Sequence, residues 1–231
     1  KGKYNPRIEE NLAQMTERFA ALEFVQIDDG YQRAMGDWLL PSDRFDGGLL
    51  PLLHSIRQAG REPALWVAPF IAEPGSQIFQ QHPEWFIQDA EGKPLAAEKV
   101  TYGGWRCTPW YVLDGTLPAV QQHLQQLFHT LRHEYGIRYF KLDANFWGAL
   151  HGGQFADRRA TRIQAYRRGM AAILAGTGDD VFLLGCNAPF WPSLGLVHGM
   201  RVADDVERSG HRFRQIAREI FSRSWQADRL W

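Results

Sequence analysis

The chain has 231 residues, 45% of them hydrophobic, which is enough for one substantial core. Its 26 Lys and Arg balance 26 Asp and Glu, so no charge footprint points to nucleic acid or to an anionic membrane surface. The longest apolar run, Ala64 to Ala72, is under half of a bilayer span, and Cys107 and Cys186 lack the CxxC spacing of a structural zinc site or a disulfide framework.

Read in order, the chain alternates helix and strand. Arg7 to Ala21 places Ile8, Leu12, Met15 and Phe19 on one helical face. Phe24 to Ile27 is a short strand ending in Asp28, Asp29 and Gly30. Leu49 to Ala59 reads as a helix closed by Gly60, and Pro63 to Ala68 as a strand covered on both faces. Glu73 to Thr116 is a long irregular stretch rich in Pro, Gly and Trp. Leu117 to Tyr135 is a strong helix, followed by a strand at Ile137 to Asp143 and a helix at Arg158 to Ala175. Strands at Val181 to Cys186 and Met200 to Ala203 and a helix near Phe213 to Ser224 complete the series; Gln226 to Trp231 reads as the start of one more strand. This alternation predicts an α/β fold with a parallel sheet built from βαβ units. Five clear strands fall short of the eight of a (β/α)8 barrel. The chain opens on Lys1 without an initiator Met or a leader pattern, as expected of a segment of a longer chain. Without leader or disulfide signals, a cytoplasmic location is favoured.

Polar side chains gather at strand ends, where parallel α/β folds place their active sites. The candidates are Asp28 and Asp29; Lys141 and Asp143; Cys186 and Asn187; and Arg201, Asp204 and Asp205. Strand alternation puts Lys141 on the side of Asp143, and Arg201 on the side of Asp205. Two opposed carboxylates suit glycosidic bond cleavage, one as nucleophile or base and the other as acid. Clustered Asp residues also fit a hard cation, the competing reading, but histidine adds little to it: His129 and His133 lack the HExxH glutamate, and no metal is expected. No GxGxxG, Walker or GxSxG motif occurs, so no cofactor is expected. The nine Trp are expected mostly in the core, any exposed ones suiting a sugar face.

Phe24 to Tyr31 followed by Gly36 to Trp38, then Leu65 to Pro69, Tyr139 to Asp143 and Met200 to Asp205, resemble the successive strand-end motifs of the melibiase clan, the retaining α-galactosidases of glycoside hydrolase families 27 and 36. Gly30 and the segment Leu183 to Pro189 resemble family 36. The resemblance implies a (β/α)8 TIM barrel whose second to sixth strands are visible, the seventh beginning near Trp225, so that 1–231 is a single catalytic barrel domain lacking its first and last strands. It implies Asp143 as nucleophile and Asp205 as acid/base. It also implies Asp28, Asp29 and Lys141 on sugar hydroxyls, Trp38 closing one side of the pocket, and Cys186 and Arg201 near the 2-hydroxyl. Asn187 stands where a glycine is usual and narrows the space beside the sugar's 2-position. The implied partner is an α-galactoside or related carbohydrate, with neither nucleic acid nor membrane. α-N-acetylgalactosaminidase activity, transglycosylation, a barrel aldolase using Lys141 as a Schiff-base amine, and a non-catalytic sugar-binding fragment remain open.

Overall fold

The computed structural model describes residues 4–45, 47–105, 109–205 and 209–226. Its elements run α1 (Tyr4–Arg18), β1 (Phe24–Ile27), α2 (Leu50–Gln58), β2 (Glu62–Val67), β3 (Ile71–Ala72), α3 (Gln77–Gln81) and β4 (Tyr111–Val112). There follow α4 (Pro118–His129), β5 (Tyr139–Leu142), α5 (Arg162–Thr177), β6 (Phe182–Gly185), β7 (Gly199–Met200) and α6 (Gly210–Arg223).

Five strands form one sheet in the order β1-β2-β5-β6-β7, every pair parallel. Spatial order follows chain order, so the sheet grows by one strand at each crossover. The first three crossovers carry α2, α4 and α5; the last, from Cys186 to His198, carries only a 3-10 turn at Trp191–Ser193. In β5, Phe140 and Leu142 are buried while Tyr139 and Lys141 stay partly open, the alternation expected of a strand. Phe128 of α4 meets the Phe140 ring edge-on at 5.3 Å. A phenylalanine buried this fully is worth about 3 kcal/mol, so truncating it would cost about 3–5 kcal/mol.

Helices α4 and α5 pack closely because α5 carries glycines on the contact face. A Cβ on Gly176 would sit 2.3 Å from the Gln125 carbonyl oxygen, and one on Gly169 2.4 Å from the Phe70 ring. Helix α5 starts at a capping box: Thr161 Oγ1 accepts from Gln164 N–H at 3.2 Å, and Gln164 Oε1 accepts from Thr161 N–H at 2.8 Å. That cap sets the start four residues later than the apolar spacing implied.

The irregular stretch is more ordered than its composition implied. β3 and β4 pair antiparallel at its two ends. Buried Asp114 then closes it: one carboxylate oxygen accepts from Thr116 N–H and Oγ1, the other from Ala156 N–H, all at 2.7–2.8 Å. Four of the nine tryptophans, at 38, 66, 110 and 147, are buried, Trp85 and Trp105 pack partly buried against the core, and Trp191 and Trp225 are exposed.

Two strand boundaries need correction. β7 stops at Met200 rather than Ala203, because its neighbour β6 ends at Gly185, whose carbonyl accepts from Arg201 N–H at 2.8 Å as the last rung. Trp225 opens no strand: Ser224–Gln226 tighten into a 3-10 turn continuing α6, and Arg223 ties this end to the Val202 carbonyl at 2.9 Å. The rest of that expected strand, 227–231, lies outside the described residues. No described helix is long and apolar enough to cross a membrane.

Candidate active site

The C-terminal ends of β1, β5, β6 and β7 open onto one pocket of about 350 Å³, lined by Asp28, Asp29, Trp66, Trp105, Lys141, Asp143, Asn187, Arg201, Asp204 and Asp205. All five expected aspartates therefore meet at one rim. A groove of about 810 Å³ between the 36–40 loop, α3 and α4 is larger, but its lining holds only the Asp37 carboxylate, so the smaller pocket is the better candidate for carboxylate chemistry.

Asp143 sits one residue past β5, its backbone N–H still bonded to the Val67 carbonyl at 2.8 Å. The residue is 7% exposed. Burying a carboxylate this far requires compensating donors, and three are present. Oδ2 accepts from Trp66 Nε1 at 2.9 Å; Oδ1 accepts from Ala144 N–H at 2.7 Å and from Asn187 Nδ2 at 2.9 Å. Lys141 does not supply the neighbouring cation directly. Its Nζ bonds Asp28 Oδ2 at 3.0 Å, across the site. Burial pulls the Lys141 ammonium down, but the hydrogen bond and charge of Asp28, with Asp143 adding to them, hold it above its ordinary value. Asp28 also accepts from Gln26 Nε2 at 2.5 Å, and Asp29 from Gln32 Nε2 at 2.8 Å, so both leave β1 with side chains already oriented.

The part of the lining beyond β7 is built differently. Asp205 lies beyond the end of β7, so strand alternation does not place it; an ion pair with Arg201 at 2.5 Å does, and its side chain is 90% exposed. Asp204 pairs with Arg212 in the first turn of α6. With Lys141 on Asp28, Arg201 on Asp205 and Arg212 on Asp204, the carboxylates are spaced by cations, and no three metal-ligating side chains converge among the described residues.

Two expected pocket residues stand behind the lining. Trp38 is buried, its ring edge-on to Trp66 at 5.7 Å, and it borders the outer groove; it supports Trp66, which supplies the wall. Cys186 is buried beneath Arg201, whose guanidinium reaches its Sγ at 3.8 Å. Burial, reinforced by the Asp143 charge, pushes the thiol up to about 12, so it is neutral and no nucleophile at neutral pH. Cys107 lies outside the described residues. Sequence reasoning missed Trp66 and Trp105 as lining residues. For Trp66 a signal existed: it pairs in register with Lys141, and partners across a parallel ladder share a face. Trp105 comes from a loop, where no period places it.

The chain matches the Melibiase family model over residues 5–174. It is 30% identical over 167 residues to an α-galactosidase of Escherichia coli, covering 68% of this chain and 22% of that protein. It is 36% identical over 88 residues to an A type blood α-D-galactosamine galactosaminidase of Flavonifractor plautii, covering 37% of this chain and 8% of that one. Among solved structures, the α-galactosidase of Thermus thermophilus in complex with stachyose superposes with a TM-score of 0.74 at 34% identity, over 91% of this chain and 43% of that one. The chain thus spans less than half the length of these relatives. The matched residues run from α1 through most of α5 and contain Asp28, Asp29, Lys141 and Asp143, and the chain belongs to the Melibiase family.

Proposed function

We propose that the protein is a retaining α-galactosidase that removes terminal α-linked galactose, with Asp143 as nucleophile and Asp205 as acid/base. In this reading the five parallel strands are the second to sixth staves of a (β/α)8 barrel; their matching spatial and chain order and the superposition on the Thermus α-galactosidase support it. The observation that carries the function is the meeting of a buried carboxylate held by three donors and an exposed carboxylate in the lining of one pocket.

Asp143 adds through a carboxylate lone pair to the anomeric carbon as the glycosidic C–O bond breaks, and the leaving oxygen takes the Asp205 proton. Water then attacks the glycosyl ester, Asp205 takes its proton, and the ester electrons return to Asp143. The ion pair with Arg201 fixes where the Asp205 carboxylate sits in the pocket. Lys141 and Asp28, already paired, present a donor and an acceptor to sugar hydroxyls; Asp29 and Arg201 add one of each, with Cys186 beneath Arg201. Lys141 held protonated does not suit a Schiff-base amine, which must be neutral to attack a carbonyl.

A nitrophenyl glycoside panel on the full natural chain tests this reading, with α-galactoside and α-N-acetylgalactosaminide compared and sugar acceptors added to detect transfer. Turnover of the galactoside and labelling of Asp143 by a fluorosugar inactivator are expected. A label on Asp28 or Asp29, or no turnover of any α-glycoside, rejects it.

A further inference from the structure

Asn187 is bonded to Asp143, yet neither apolar periodicity nor charge pairing accounts for it. It is one of two non-glycine residues with positive φ among the described residues, at +44°, a left-handed conformation that costs a side-chain-bearing residue energy. The other is Ala144, at +53°, whose N–H bonds the same Asp143 oxygen. The strained backbone is therefore confined to the two positions that supply donors to Asp143 Oδ1. Asn187 is also fixed from behind: its carbonyl accepts from Phe146 N–H at 2.6 Å. Facing a carboxylate, the Asn187 amide must present its NH2 and not its oxygen, so the contact is a donor contact.

An ionised carboxylate oxygen has about two lone-pair sites. Ala144 and Asn187 occupy both on Oδ1, whereas Oδ2 carries the bond from Trp66; the Cys186 thiol also donates to this carboxylate. We infer that Asn187 is a positioning residue that reserves Oδ2 of Asp143 as the attacking oxygen and stabilises the carboxylate when it is released from the glycosyl ester. The inference rests on the proposed role of Asp143 and adds to it which atom reacts and what limits its release. In the first step an Oδ2 lone pair forms the bond to the anomeric carbon, the leaving oxygen departs with the bond electrons, and it takes the Asp205 proton. Oδ1 becomes the ester carbonyl. In the second step the Oδ2–carbon bond breaks and its electrons return to the carboxylate, so charge reappears on Oδ1 between the two donors. A donor aimed at the returning charge stabilises it and speeds its departure.

The test uses the full natural chain and the variants Asn187→Gly and Asn187→Asp. Glycine adopts positive φ without strain, so Asn187→Gly removes the donor and relaxes the backbone; Asn187→Asp replaces the donor with a second carboxylate and is tolerated at positive φ. Asn187→Gly should raise the acid limb of the kcat/KM–pH profile by about one unit and lengthen the life of the fluorosugar-labelled enzyme roughly tenfold, with the melting temperature held or raised. Asn187→Asp should raise the acid limb further, because the two carboxylates then share a proton. If both variants leave acid limb and intermediate lifetime at wild-type values, the inference fails while the proposed function stands. If the wild-type enzyme gives no label on Asp143, the functional reading fails and the inference with it.

Discussion

The two walls of the pocket carry the same functional group under opposite conditions. Asp143 hangs from the end of a central strand, is 7% exposed and accepts three hydrogen bonds. Asp205 hangs from a loop past the last rung of the sheet, has a side chain 90% exposed, and is held by one ion pair. An attacking oxygen must be aimed to within a fraction of an ångström, which strand and donors provide. A group that exchanges a proton with water in each cycle needs access and room to move, which the loop provides. In the proposed reading this asymmetry allocates the roles better than carboxylate identity does.

The comparison breaks first at Asp143. Asp143→Ala should lower kcat by roughly 10⁴-fold or more, since no other group forms the ester. It should also lower the melting temperature measurably, because the Trp66 indole N–H loses its acceptor in a buried site. Asp205→Ala should cost on the order of 10²–10³-fold on a sugar leaving group and far less on a nitrophenyl one, with azide restoring turnover and the melting temperature unchanged. Equal losses on both substrates, or a loss of stability matching that of Asp143→Ala, would erase the distinction between the walls. If Asp204→Ala instead shows the leaving-group dependence, the loop acid is its neighbour.

How much of this was legible in the sequence follows the same division. The five parallel strands, and the placement of Asp28, Lys141 and Asp143 at their ends, could be read because period-2 burial and abrupt charge mark a strand end. The Arg201–Asp205 pairing was anticipated through alternation along a strand that in fact stops at Met200; a direct ion pair produces the same neighbour relation. Trp38 was expected at the wall and lies behind it, since side-chain depth in a loop depends on what packs in front, here Trp66. The donors that Asn187 and Ala144 give to Asp143 depend on left-handed backbone at non-glycine residues, which composition does not signal.

Lys141 tests whether the strand-held wall also recognises the sugar. Lys141→Met deletes the donor and leaves Asp28 to Gln26 and the Asp29 N–H, so KM for a nitrophenyl galactoside should rise roughly tenfold with a smaller change in kcat. The ammonium is held above its ordinary value of 10.5, so whatever the pair adds to stability is fully present below about that pH and is lost as pH climbs through the higher folded value. Melting curves of wild type and Lys141→Met should therefore differ at pH 7 and draw together as the pH climbs through the raised value, and a difference independent of pH would mean that Lys141 acts by packing alone.

The smallest effect on turnover is expected at His123, remote from the pocket in the groove between α3 and α4, and it separates acid sensitivity of the fold from that of the site. Burial, with a lesser contribution from the charge of His82, pushes the His123 imidazole down to about 4 from an ordinary value of 6.5. Between these values the unfolded chain binds a proton that the folded chain refuses. Stability is therefore unaffected above about pH 6.5, falls as the pH is lowered towards 4, and levels off below it, when both states are protonated. His123→Gln removes this titration, and its melting temperature should fall less between pH 7 and 4.5 than that of the wild type. Its kcat/KM at pH 7 should match the wild type, because the groove does not border Asp143 or Asp205. If His123→Gln also moves the acid limb of kcat/KM, part of that limb reports unfolding, and the limb assigned to Asp143 must be remeasured on the His123→Gln background; if wild type and variant melt in parallel, His123 is not neutral by burial and the acid limb belongs to the pocket alone.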